Sequence, residues 1–156
     1  MHGYTLALIR VAACAVAILL AGAARVDAEQ CSISTTPLIF GTYNVFSSSP
    51  VDSTGTVTYR CNGGAHVILV TITKGQSVTF QPRQLSRGLE KLSYNLFRDA
   101  ARTSIWGDFT GGTSAHLDID PPKNQNVSVT VYGRIPPGQD ISAGSYSDTV
   151  TVVVNF

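Results

Sequence analysis

The feature that most constrains the fold is the alternation of side chains along segment 144–156. Because successive side chains of a β-strand point to opposite faces, one parity forms an apolar stripe and the other is mostly hydroxylated. The stripe consists of Val150, Val152, Val154 and Phe156. Ending a chain on a core-facing strand residue is unusual, since most chain ends are polar and frayed. Two interpretations are open: a sandwich whose last strand is C-terminal, or a strand that offers its edge to a partner.

The rest of the chain repeats this pattern in short segments separated by turn residues. Alternating or β-branched runs fall at 54–62, 66–74, 91–97 and 125–134, with a further short strand predicted at 77–80. Segment 31–43 starts as an edge strand and is interrupted by Pro37, which cannot donate a ladder hydrogen bond. The charged segment 81–90 is interpreted as a surface excursion. Together these segments predict an all-β fold, an antiparallel immunoglobulin-like β-sandwich.

The first part of the chain has the pattern of an export signal. An apolar, alanine-rich run at 11–24 is too short to span a bilayer comfortably, and it precedes Val26-Asp27-Ala28, which is typical of a cleavage site. The sequence therefore predicts a secretory signal peptide over 1–28 and a single domain over 29–156. Cleavage after Ala23 or Ala24 is an alternative, and Val11–Cys14 loosely resembles a lipoprotein cleavage box.

The charge and the cysteine content narrow the class of protein further. Removing residues 1–28 leaves equal numbers of Lys/Arg and Asp/Glu, so no basic excess points to nucleic acid or an anionic membrane surface. Two cysteines remain, and an exported chain with two cysteines most simply forms one disulfide. Alternation places Cys61 on the inward face of its strand, where it can meet Cys31 at the start of the first strand.

No residue pattern points to catalysis, a cofactor or a metal. His66 and His116 lie in neither a nucleophile motif nor an HExxH motif. Asp118 and Asp120 share one strand face, where they could bind calcium or act in acid–base chemistry; the more ordinary interpretation is a solvated edge. The sequence thus predicts a non-enzymatic protein.

Two motifs, YNLFRDAART at 94–103 and WGD at 106–108, resemble the spore coat protein U domain, the subunit type of archaic, Csu-type chaperone–usher pili. The similarity extends over essentially the whole of 29–156. It includes Cys31 ahead of FGTY at 40–43, Gly55 and Cys61 in the second strand, YGRI at 132–135, and segment 144–156.

The resemblance implies an incomplete sandwich that lacks its final strand and leaves an apolar groove open. It further implies that a periplasmic chaperone lends a strand to this groove beside the C-terminal strand. At the outer-membrane usher, the N-terminal extension of a neighbouring pilin subunit then replaces the chaperone. Val150, Val152, Val154 and Phe156 would form the partner-binding edge. The implied destination is a surface pilus or coat, reached through the periplasm, with a role in adhesion or biofilm.

One departure from the pattern concerns the N terminus. Cleavage after Ala28 leaves only Glu29 and Gln30 before Cys31, too few for a donor strand. This predicts a terminal or tip subunit, or a secreted coat protein; a wrong start or a truncated gene model is the alternative.

A second function also stays open, in which a self-complete secreted sandwich binds carbohydrate or a surface directly. Phe109 and the 111–112 loop would make the contacts, with Trp106, although Trp106 fits a core position better.

Overall fold

The computed structural model describes residues 30–63 and 66–156, so the predicted signal peptide lies outside the described residues. These ranges form eight strands: β1 (Cys31–Thr36), β2 (Val51–Cys61), β3 (Val67–Ile72), β4 (Arg83–Arg87), β5 (Glu90–Phe97), β6 (His116–Ile119), β7 (Val127–Ile135) and β8 (Val152–Asn155). No helix within them is long and apolar enough to cross a membrane.

The strands pair antiparallel in two sheets, which confirms the predicted sandwich. The larger sheet has the order β1-β2-β7-β5-β4, and the smaller has the order β6-β3-β8. β1 ends just before Pro37, as predicted, because proline has no backbone N–H to donate to a neighbouring strand. Cys31 and Cys61 lie directly opposite each other in the β1–β2 register and form a disulfide, with a Cα–Cα distance of 4.1 Å.

The core lies between the sheets and is built from one parity of each strand. Its fully buried side chains include Val57 and Tyr59 from β2, Ile68 and Val70 from β3, and Trp106 from the connection between β5 and β6. The Trp106 indole N–H donates to the carbonyl of Val70 at 2.9 Å, which satisfies its one polar group inside the core. Trp106 therefore fills the core and does not belong to an exposed binding surface.

Segment 77–90 differs from the sequence prediction. Residues 77–80 form no strand, and the predicted surface excursion contains β4. Arg83 on β4 is fully buried, and its guanidinium donates to the carbonyls of Thr73 (3.0 Å) and Trp106 (2.7 Å) and to Oδ1 of Asn95 (2.8 Å). A buried cation is tolerated when its donors are paired. Burial lowers the pKa of Arg83 to about 10.

The predicted C-terminal strand is shorter than expected because the segment passes between the sheets. Ser147 exchanges two backbone hydrogen bonds with Ser86 of β4 (2.8 and 3.1 Å), whereas Val152–Asn155 pairs with β3. Half-buried and exposed residues nevertheless alternate through the stretch before β8 and through β8 itself. Val150, Val152 and Val154 are half-buried, and the residues between them are exposed.

Candidate functional site

An open groove runs along one side of the sandwich between two antiparallel walls, residues 30–45 and residues 141–156. Three cavities follow one another along it. The first, of about 400 Å³, joins Cys31 to Phe156. The second, of about 290 Å³, joins Thr36 and Leu38 to Val150 and Val152. The third, of about 920 Å³, joins 38–45 to 141–148.

Both walls contain a strand with one unpaired edge. Among the described strands β1 pairs only with β2, and β8 pairs only with β3. Unpaired strand edges expose backbone donors and acceptors and can pair with a strand from another chain. The two edges belong to different sheets, so the groove is the place where the sandwich is not closed.

The floor of the groove is the core itself. Buried residues from both sheets line the second cavity, including Val57, Ile72 and Leu96. Half-buried apolar residues surround them on the groove side: Leu38, Phe40, Leu85, Ile141, Tyr146, Val150, Val152 and Val154. Apolar side chains of this size normally bury completely in a closed core, and here they leave an apolar trough open to solvent.

A glycine of the larger sheet, Gly133 on β7, positions the first wall. A Cβ at Gly133 would lie 2.7 Å from Cδ1 of Leu38 and 2.8 Å from Cζ of Phe40, so only glycine lets these side chains lie on the sheet. The wall is held there by two hydrogen bonds, from Ser53 Oγ to the carbonyl of Ile39 (2.6 Å) and from the Tyr43 hydroxyl to the carbonyl of Pro136 (3.1 Å).

Asp148 positions the second wall. Its Oδ2 accepts from the buried hydroxyl of Tyr94 (2.7 Å), and its Oδ1 accepts from the backbone N–H of Gln76 (3.0 Å) and of Thr149 (2.8 Å). Burial, together with this hydrogen bond to Asp148, raises the pKa of Tyr94. The carboxylate thereby joins the C-terminal segment to β5 of the larger sheet and to the connection that follows β3 of the smaller sheet.

Asp148 is not among the residues predicted from the sequence, although a signal is present. Asp148 has the same parity as the apolar stripe, and a carboxylate on an inward-facing parity must find donors. Its partner Tyr94 is 54 residues away, and only the tertiary structure identifies it.

The four residues predicted to contact a partner all lie along the second wall. Val152 and Val154 belong to β8, Val150 precedes it, and Phe156 follows it. Val150 and Val152 line the second cavity, and Phe156 lines the first with 54% of its surface exposed.

The titratable residues considered for catalysis do not converge on a common point. Asp118 accepts a hydrogen bond from the hydroxyl of Tyr59, whereas Asp120 contacts Nδ1 of His66 at 3.0 Å. His116 packs beside Trp106, with ring centroids 6.0 Å apart. The described residues contain no group of three or more His, Cys, Asp or Glu side chains placed to hold a metal ion.

The sequence also matches a known protein family. The profile of the Spore Coat Protein U domain matches residues 17–153. The chain belongs to this family. It is 31% identical to Protein U of Myxococcus xanthus over 134 residues, in an alignment that covers 76% of this chain and 71% of that protein.

A solved structure with the same fold is also similar. It is the crystal structure of the CsuC–CsuE chaperone-tip adhesion subunit pre-assembly complex from archaic chaperone–usher Csu pili of Acinetobacter baumannii. The TM-score is 0.60 at 26% sequence identity, over 83% of this chain. The chain spans about 40% of the length of that neighbour. The Spore Coat Protein U domain of this chain therefore has the fold of a protein from a chaperone–subunit complex.

Proposed function

We propose that this protein is an exported, non-enzymatic structural subunit that accepts a β-strand from a partner in the open groove. The observation that carries the proposal is the groove itself, with an unpaired strand edge on each wall and an apolar floor between them. A strand inserted there would pair with the edge of β8, and its alternate side chains would cover the floor.

The chemistry of the groove indicates the kind of strand that fits. Val150, Val152 and Leu38 present apolar, half-buried surface, so the inserted strand should carry apolar side chains on one parity. Each fully buried aliphatic side chain is worth about 1.5–3 kcal/mol, and several in a row would hold a strand firmly.

The partners we propose follow from the similarity to the CsuC–CsuE complex. A periplasmic chaperone would supply the first strand, and assembly at an outer-membrane usher would exchange it for the strand of a neighbouring subunit. The product would be a surface pilus or coat that serves adhesion or biofilm formation. We further propose that the subunit occupies the tip of the pilus, and the tip adhesion subunit in that complex supports this position.

Co-expression with and without the cognate chaperone, followed by purification, tests this proposal. With the chaperone we expect a soluble one-to-one complex. Without it we expect aggregation or binding of an apolar dye, because the floor stays exposed. A soluble monomer that unfolds cooperatively and binds no dye would show that the sandwich is self-complete, and the proposal would be wrong.

Two variants of adjacent residues on β8 provide a matched comparison. Val152→Asp places a carboxylate on the groove-facing parity and should abolish the complex. Val153→Asp places the same group on the opposite parity, where 40% of the side chain is already exposed, and should leave the complex intact. Equal loss in both variants would contradict binding at the groove-facing side of β8.

A further inference from the structure

A second concave site lies away from the groove, between the β3–β4 connection and the loop at 108–111. Its cavity volume is about 590 Å³, within the range of small-molecule sites, and it shares no lining residue with the three cavities of the groove. Gln81 joins the two loops, because its Nε2 donates to the carbonyl of Gly111 at 3.0 Å. The two sides of this cleft are therefore held together by a hydrogen bond.

The lining of the cleft combines hydrogen-bond acceptors with donors. Oδ1 of Asp108 accepts from the N–H (3.0 Å) and the hydroxyl (2.5 Å) of Thr110, and no donor among the described residues bonds Oδ2. Likewise, Oε1 of Gln81 has no partner among those residues. Lys74 Nζ donates one hydrogen bond, to the carbonyl of Val78 (2.9 Å), and keeps two N–H groups for a ligand.

The charge of the cleft is balanced. Lys74 and Asp108 are its lysine and carboxylate, and they lie close enough for Lys74 to help hold the pKa of Asp108 below its usual value, after the larger effect of the Thr110 hydroxyl. A site with one ammonium and one carboxylate has no net attraction for an anion or a cation. Its ligand is therefore expected to carry no net charge.

Apolar side chains stand beside these polar groups. Val78 lines the cleft and is 86% exposed. Phe80 also lines the cleft, with 8% of its surface exposed. Val78 is therefore a large apolar group with no cover within the described residues, next to a set of acceptors and donors.

We propose that this cleft binds a neutral saccharide, whose hydroxyls would bond Asp108, Gln81 and Lys74 while Val78 contacts its C–H face. A sugar ring supplies both donors and acceptors from its hydroxyls and an apolar face from its ring hydrogens, which matches this lining. The inference is independent of strand acceptance, since it uses no residue of the groove.

Saturation-transfer NMR on the full-length protein, in its soluble form with or without the chaperone, tests the proposal. The probes are glucose, galactose, mannose and N-acetylglucosamine, with glucuronic acid as the charged comparison. We expect a signal from at least one neutral sugar and about tenfold weaker binding in Asp108→Asn, which removes a charged acceptor but keeps the shape.

Two further variants make the result decisive. Val78→Ala changes an exposed side chain that lines the cleft, so it should weaken sugar binding without loss of fold or of the chaperone complex. Asp140→Asn alters an exposed carboxylate in another loop and should bind as the parent does. The proposal is wrong if no neutral sugar gives a signal, if glucuronic acid alone does, or if the cleft variants bind like Asp140→Asn.

Discussion

Removing the carboxylate of Asp148 should detach the C-terminal wall of the groove. In Asp148→Ala the hydroxyl of Tyr94, whose side chain is only 4% exposed, loses its acceptor. Leaving a buried donor unsatisfied costs about 1–3 kcal/mol, and the bonds to the exposed N–H groups of Gln76 and Thr149 contribute about 0.5–1 kcal/mol each. We therefore expect a loss of about 2–5 kcal/mol in the free energy of unfolding.

Urea denaturation measures this loss. With an m-value of about 1.5 kcal/mol/M, the midpoint should fall by roughly 1.3–3.3 M. Tyr94→Phe alone should cost about 1–2 kcal/mol, because it removes the donor but leaves Asp148 accessible to water. Asp140→Ala, in an exposed loop, is the control and should change the midpoint little.

The double variant decides whether the two residues act through one bond. If they do, Asp148→Ala combined with Tyr94→Phe should cost clearly less than the sum of the single changes, with a coupling energy of at least about 1 kcal/mol. Additive costs would refute the assignment of Asp148 as the group that anchors this wall through Tyr94.

Three further predictions concern other parts of the fold. Cys31→Ser with Cys61→Ser opens a loop with a sequence separation of 30 and should cost about 3–4 kcal/mol of stability in urea denaturation, whereas unchanged stability would contradict a structural role. Burial lowers the pKa of His116 from its usual 6.5, so below that pH the unfolded chain binds more protons than the folded chain. The free energy of unfolding should therefore be highest above about pH 6.5 and fall as the pH is lowered. It should level off below the folded-state pKa. His116→Gln should remove this dependence between pH 5.5 and 7.5, and a parent protein with a flat profile there would contradict it. Gly133→Ala should push the tips of Leu38 and Phe40 into the groove, at a cost of about 1–3 kcal/mol, and lower the yield of the chaperone complex; an unchanged yield would show that these side chains do not border the strand site.

Most of the strands could be predicted from the sequence because alternation is a local property. The pattern around Val57 and Tyr59 shows which face is buried without knowledge of any other strand, and both residues are fully buried. The stripe at Val150, Val152 and Val154 likewise predicted which parity of the C-terminal segment faces inward. The two cysteines were sufficient to predict the disulfide, because no other pairing existed after residues 1–28 were set aside.

Arg83 and β4 were assigned wrongly for the opposite reason. A charged residue in a polar segment normally lies at the surface, and burial becomes possible only when carbonyls from distant segments converge on it. For Arg83 those carbonyls belong to Thr73 and Trp106, which flank β4 and β5 in the chain. No local pattern around residue 83 contains that information.

The alternation, the strand class and the disulfide were thus determined by the sequence alone, since each depends on neighbouring residues or on a simple count. The tertiary structure decided where the C-terminal segment leaves one sheet for the other, which side of the sandwich stays open, and how Asp148 meets Tyr94. These features depend on contacts between residues that are far apart in the chain. Their energies are realised only once both sheets are packed, because a hydrogen bond or an unpaired edge is defined by the neighbours that the fold supplies.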